Sequence, residues 1–279
     1  MNTLNQIINK SIFSSIGTLL DGYGLSLFKM YLDFNKPFIE KFSQAIYAFN
    51  GDEKIINLAT QSLEKLNTNI KIITTENLGH TFGTFLLDNA IFQTAAQYPE
   101  YSYIWKFSND VITEPFITDR EVELADFYYI NNIGYISLDW INEPERPKYT
   151  KESLLQAVMD KSYFYPQTNY YIIKNHINFY PNKDTIYSLK KEFDEIKSTH
   201  PNIHPWHAIH ECDSENMLKK TVIQNNLSTH YLLDEQDTKK IIEYVDQTKN
   251  YDGSHKNVLY SQLGNLCHLH YPNHPVCVI

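Results

Sequence analysis

Apolar positions recur at intervals of three and four from the start of the chain. Leu4, Ile7, Ile8, Ile12, Phe13, Ile16, Leu19 and Leu20 share one helical face until Asp21-Gly22-Tyr23-Gly24 interrupts the run. The spacing predicts an N-terminal helical arm over residues 1–41, packed on the body of the protein. With Lys10 its only cation in the first twenty residues, it lacks the basic face of a membrane-surface helix. From residue 42 the period changes. Ala45 to Phe49 is a short apolar run closed by Asn50-Gly51-Asp52, which predicts a strand. Ile55, Ile56, Ala59, Leu63 and Leu66 then predict a helix from Glu53 to Leu66. The sequence repeats this order: a strand over Ile70 to Thr75, a turn at Glu76-Asn77-Leu78-Gly79, a helix over Phe82 to Ala96, and a strand over Tyr101 to Phe107.

Strands alternating with helices predict an α/β fold: a Rossmann-type, mostly parallel sheet flanked by helices on both faces. Such sheets bind ligands outside the carboxyl ends of their strands. Those ends are polar here: Asn50, Glu76-Asn77 and Asn109-Asp110. Beyond residue 115 the alternation weakens. Strands are predicted at 127–130, 133–137 and 170–173, and helices at 151–159, 187–196, 213–227 and 237–249. No internal repeat, low-complexity tract or Gly/Ser linker divides the chain, so the expected organisation is the arm followed by one domain over 42–279.

Composition narrows the function classes. The chain has 279 residues, 42% of them hydrophobic and 14% aromatic, which is enough for a core and excludes global disorder. A net charge of −9 opposes a nucleic-acid surface, so no nucleic-acid partner is expected. No apolar run approaches the length of about 20 residues that crosses a bilayer, and no signal peptide opens the chain, which predicts a cytoplasmic protein. Cys212, Cys267 and Cys277 form neither a disulfide framework nor a thiolate zinc spacing, in keeping with a reducing compartment.

Several groups have chemical potential. Asn109-Asp110, at the end of an apolar strand, offers a carboxylate to a hard divalent cation that bridges phosphates, although Asn-Asp is also ordinary turn chemistry. Gly79 and Gly83 permit close backbone approach, and Asn77 can hydrogen-bond a base or a ribose. Neither the dinucleotide-binding GxGxxG nor the Walker pattern is present. The carboxylates Glu211, Asp213 and Glu215 open a helix and can serve as a general base or only as caps. His200, His204 and His207 have helix-like spacing, but Pro201 and Pro205 interrupt the helix that would align them. Trp105 reads as core.

The run Glu76-Asn77-x-Gly79, the Asn89-Ala90 helix and the segment Tyr103 to Val111 with its Ser108-Asn109-Asp110 end resemble the nucleotide-sugar-binding half of GT-A glycosyltransferases. The resemblance covers residues 43–115. It departs in having one carboxylate at Ser108-Asn109-Asp110, and in having Asp88 before the Asn-Ala step where many members carry arginine. It implies a nucleotide-binding half over 42–115 and an acceptor half over 116–279. The implied reaction is a metal-dependent transfer, with Mn or Mg, of a sugar from a nucleotide-sugar donor, in the first instance a UDP-sugar. The acceptor would be a glycan, a lipid-linked acceptor or a protein. Asp110 becomes the principal metal ligand, assisted by Asn109 or His268. Asn50, Glu76, Asn77 and Gly79 line the nucleoside pocket, and Asp213, with Glu211 close behind it, becomes the base. Two other classes compete: a non-catalytic nucleotide-binding module of the same fold, and a histidine-based metal-dependent hydrolase or nucleotidyltransferase.

Overall fold

The computed structural model describes residues 3–109, 111–113, 135–137, 170–210, 212–227, 229–231 and 266–268. The chain opens with helix α1 (Thr3–Asn9), strand β1 (Ser11–Leu19) and helix α2 (Gly22–Ile39). Strand β2 (Gln44–Gly51), helix α3 (Glu53–Leu63), strand β3 (Asn69–Thr74), helix α4 (His80–Ala95) and strand β4 (Tyr103–Ser108) follow. Later described elements are β5 (Val111–Thr113), β6 (Tyr135–Ser137), β7 (Tyr170–Lys174), α5 (Lys183–Thr199), α6 (Pro205–Ala208), α7 (Ser214–Gln224), β8 (Thr229–Tyr231) and β9 (Leu266–His268).

The main sheet has the order β3-β2-β1-β4-β7-β6-β8. β1 pairs in parallel with both β2 and β4, and β2 pairs in parallel with β3. β7 enters antiparallel to β4 and β6, and β6 is parallel to β8. The expected α/β class and mostly parallel sheet are therefore present. The elements expected over 42–107 appear within a few residues of their expected bounds. The expected strands at 133–137 and 170–173 correspond to β6 and β7, and the helices at 187–196 and 213–227 to α5 and α7. The expectations at 127–130, 151–159 and 237–249 lie outside the described residues.

The helical arm expected over 1–41 is corrected. Residues 11–19 form β1, flanked by α1 and α2, so the sheet begins at Ser11 rather than after residue 42. The strand is buried on both faces. Phe13 and Leu19 enter the aromatic-rich core beneath α2 and α3, whereas Ile12 and Ile16 enter the core beneath α4 and α7. A strand covered on both sides has apolar residues at consecutive positions, and periodicity does not separate it from a buried helix.

Two caps and one glycine fix the chain at the carboxyl edge. Asp21 Oδ1 accepts from the Gly24 amide at 2.9 Å and starts α2. Asp52 Oδ1 accepts from the Lys54 and Ile55 amides and starts α3. Between them, Gly51 has φ 127°, and a Cβ there would lie 2.1 Å from the Leu19 carbonyl oxygen. The Asp52 amide donates to that same oxygen at 2.8 Å, so the β2 turn is locked onto the end of β1. At the opposite edge the Asn175 amide nitrogen donates to the Ala95 and Tyr101 carbonyls, joining the end of β7 to the end of α4.

Gly51→Ala is expected to cost about 3 kcal/mol or more, since the backbone conformation and the steric clash both oppose a side chain. Thermal unfolding checks this: the expected drop is about 6 °C or more.

Candidate functional site

In the parallel part of the sheet the strands end on one edge, and the order reverses at β1, with β2 on one side and β4 on the other. The connection through α2 lies over one face and that through α4 over the other, so a crevice is expected outside the ends of β1 and β4. The sequence-expected residues are distributed along this edge. Asn50 ends β2, Glu76, Asn77 and Gly79 follow β3, and Asn109 follows β4.

Asn50 has the most telling environment. It is fully buried, and neither its amide oxygen nor its amide nitrogen has a hydrogen-bond partner. A buried unpaired polar group costs about 1–3 kcal/mol, and one that persists calls for a reason beyond stability. The amide lies under the first turn of α4: a Cβ on Gly83 would come 2.9 Å from Asn50 Nδ2 and 3.8 Å from Asn77 Oδ1. Gly83 thus lets the helix close on the Asn50 amide.

The turn before α4 is shaped for exposed backbone donors. Asn77 Oδ1 accepts from the Gly79 amide at 3.0 Å, and Gly79 adopts φ 83° and ψ −179°, a region restricted to glycine. Gly79 is the N-cap of α4 and supplies no capping side chain, so the helix start carries uncapped amides and the positive end of its dipole. Glu76 is exposed, and its Oε2 accepts from the Tyr187 hydroxyl of α5 at 3.0 Å. That contact pushes the Tyr187 phenol above its ordinary pKa, since ionisation would place two negative charges together.

Asn109 sits further along this edge, directly after β4. Its amide donates to the Ile16 carbonyl at 3.1 Å, and its side chain lies over Gly17, where a Cβ would come 2.6 Å from Nδ2. Asp110 lies outside the described residues. β5 follows directly and pairs antiparallel with β9, with His268 in register opposite Val111. The sequence reading missed the β1 end because it placed that segment in a helix. The structure puts Leu20 and Tyr23 there, 59% and 41% exposed, Leu20 directly after β1 and Tyr23 in the first turn of α2. A tyrosine shortly after the capping Asp21, flanked by Gly22 and Gly24, was the available signal.

The candidate bases separate. Asp213 is the N-cap of α7: Oδ1 accepts from the Asn216 amide at 2.7 Å and Oδ2 from the Asn216 side-chain nitrogen at 2.6 Å. With both oxygens engaged, the capping role is the one the geometry gives it. Glu211 lies outside the described residues. Its neighbour Cys212 is buried in a cluster with Phe82, Phe85 and Met217, which anchors this segment against the amino-terminal half of α4. Burial pushes the Cys212 thiol up to about 11, an inert rather than a reactive thiol. Burial, with smaller contributions from His207 and His80, holds the His204 imidazole below its ordinary value. Among the described residues, no three His, Cys, Asp or Glu side chains are grouped to hold a metal ion.

No protein-family model matches the chain. No curated protein matches it either. Solved structures show distant similarity. One is core-mannan synthase A from Aspergillus fumigatus in a Mn/GDP form, with a TM-score of 0.38 and 9% identity, covering 80% of this chain and 72% of that one. A second is 4-diphosphocytidyl-2C-methyl-D-erythritol synthase from Anaerococcus prevotii, with a TM-score of 0.37 and 12% identity over 86% and 99% of the two chains. A third is the galactosyltransferase LgtC in complex with donor and acceptor sugar analogs, with a TM-score of 0.41 and 10% identity over 79% and 72%.

Gly17→Ala tests the β4 end. The added methyl must displace the Asn109 side chain, so any ligand that uses Asn109 is expected to bind about tenfold more weakly, while the fold loses no more than about 2 kcal/mol. Isothermal titration alongside a thermal melt separates the two effects.

Proposed function

We propose that the protein is a glycosyltransferase that moves a sugar from a nucleotide donor, in the first instance a UDP-sugar, to an acceptor hydroxyl. The acceptor is a glycan, a lipid-linked acceptor or a protein. The observation that supports this most is Asn50. Its unpaired amide donor and acceptor lie under an uncapped helix start, at the edge where open α/β sheets take ligands.

In this reading the nucleoside occupies the β2 and β3 ends. The Asn77 carboxamide pairs with a polar edge of the base, the Asn50 carboxamide, buried beneath Gly83, is reached when the first turn of α4 gives way to the ligand, the Glu76 carboxylate accepts from a ribose hydroxyl, and Gly79 leaves room for close approach. The exposed Tyr23 ring offers a flat apolar surface for stacking. The diphosphate points toward Asn109 and Asp110. A carboxylate, an amide oxygen and an imidazole form a donor set that suits Mn or Mg, so Asp110, Asn109 and His268 would hold the cation. The register of His268 opposite Val111 supports grouping them. The cation would supply charge neutralisation at the leaving diphosphate. Glu211 takes the base role in place of Asp213 and accepts the proton of the acceptor hydroxyl.

Thermal stabilisation by nucleotides and nucleotide sugars, each with and without manganese, tests the donor site. Saturating UDP with manganese is expected to raise the melting temperature by about 5 °C or more. Asp110→Ala should lose the manganese-dependent part of that rise. Stabilisation by zinc alone, with none by any nucleotide, favours the histidine hydrolase instead.

Glu211→Gln separates binding from chemistry: donor binding should stay within about twofold of the unaltered protein while transfer falls by about 100-fold or more. Nucleotide binding with no turnover of any donor would identify a binding module.

A further inference from the structure

Asp88 and Lys106 are charged groups that the donor reading leaves without a role. Asp88 lies in α4, beyond Gly83, and Lys106 lies in β4, two residues before Ser108. Their side chains are 6% and 1% exposed, and Lys106 Nζ lies 3.4 Å from Asp88 Oδ1. The same ammonium sits 5.1 Å from the centre of the Tyr171 ring on β7. In the sheet Lys106 is in register with Ser14 on β1 and with Tyr171 on β7. The Ser14 hydroxyl is buried without a hydrogen-bond partner, so the neighbourhood does not form a fully satisfied polar network. Burial pushes the Asp88 carboxyl up, and Lys106 opposes that rise.

Fold stability does not account for this pair. Desolvating two charges costs several kcal/mol per ion, and apolar side chains of similar volume are often as stable or more so in such a place. Charges add directionality: an apolar contact tolerates sliding, whereas an ammonium and a carboxylate attract best at one axial setting of helix against strand. Here the two elements carry opposite ends of the candidate site. The amino end of α4 lies over Asn50 and beside Asn77, and the carboxyl end of β4 leads into Asn109.

We propose that Asp88 and Lys106 are a positioning pair that sets α4 against β4, and so fixes the span between the nucleoside end and the diphosphate end of the donor site. The proposal rests on the donor reading above. It makes neither residue catalytic, since both act through the elements that carry other groups.

The test compares the unaltered protein, Asp88→Leu/Lys106→Met and Asp88→Asn, titrated with UDP in the presence and absence of manganese and melted in parallel. The double variant removes both charges at similar volume, so it is expected to melt within about 3 °C of the unaltered protein or above it. Its affinity for UDP with manganese should fall about tenfold or more, whereas its affinity without manganese should change less than about threefold, because the diphosphate end is then not held. Asp88→Asn keeps the shape, removes one charge and should move binding in the same direction. A double variant that folds and binds UDP with manganese within about twofold of the unaltered protein overturns the positioning role. If the double variant does not fold, unaltered binding by Asp88→Asn overturns it. Failure of the unaltered protein to bind UDP under either condition overturns the donor reading and this role together, so the two failures are distinguishable.

Discussion

The central placement of β1 is the constraint on which the rest of the site depends. This strand is hydrogen-bonded on both edges and covered on both faces, and its end meets two of the groups that frame the crevice. The Leu19 carbonyl holds the turn after β2, and Ile16 with Gly17 holds Asn109 after β4. Burial of Ile12, Phe13, Ile16 and Leu19, each contributing about 1.5–3 kcal/mol, anchors the strand from above and below. The positions of Asn50 and Asn109 therefore depend on one rigid element rather than on their own loops.

The two cores serve different ends. Under α2 and α3, Phe13, Phe28, Phe38, Phe42, Tyr47, Trp105 and Phe107 form a close-packed aromatic cluster, with Phe38 stacked on Phe107 at 5.5 Å. It carries no group assigned to the site and reads as scaffold. Under α4 the packing is interrupted by polar groups: Asn50 beneath the first turn and the Asp88–Lys106 pair further along. α4 has apolar residues nearly all round, because α5 and α7 cover what the sheet does not. Polar groups within such a helix carry more functional information than exposed ones do.

The β2 to β4 segment was legible because each signal was local. Asp52 is a capping residue placed directly before α3, the apolar residues of α3 follow one helical stripe, and the polar strand ends stand out against apolar strands. β1 was not legible, since Ile12, Phe13, Ile16 and Leu19 satisfy a helical spacing as well as a doubly buried strand. Asn50, Glu76, Asn77, Gly79 and Asn109 could be singled out by position at strand ends, but the missing partners of Asn50 are a tertiary fact. The Asp88–Lys106 pair joins residues from two elements that no local pattern connects. Asp213 shows the converse: a carboxylate at a helix start satisfies both the capping and the base reading in sequence, and its two contacts to Asn216 are the capping part of that pair, which local sequence does not distinguish from the other.

Hydrogen–deuterium exchange with UDP and manganese addresses the account's central claim most directly, since it locates a ligand without requiring turnover. The account predicts slowed exchange in the segments that follow β1, β2 and β4 and in the turn and first turn of α4, around residues 17–24, 50–52, 108–110 and 76–83. Protection confined to residues 200–213, or absent from the carboxyl edge of the sheet while UDP is bound, would contradict it.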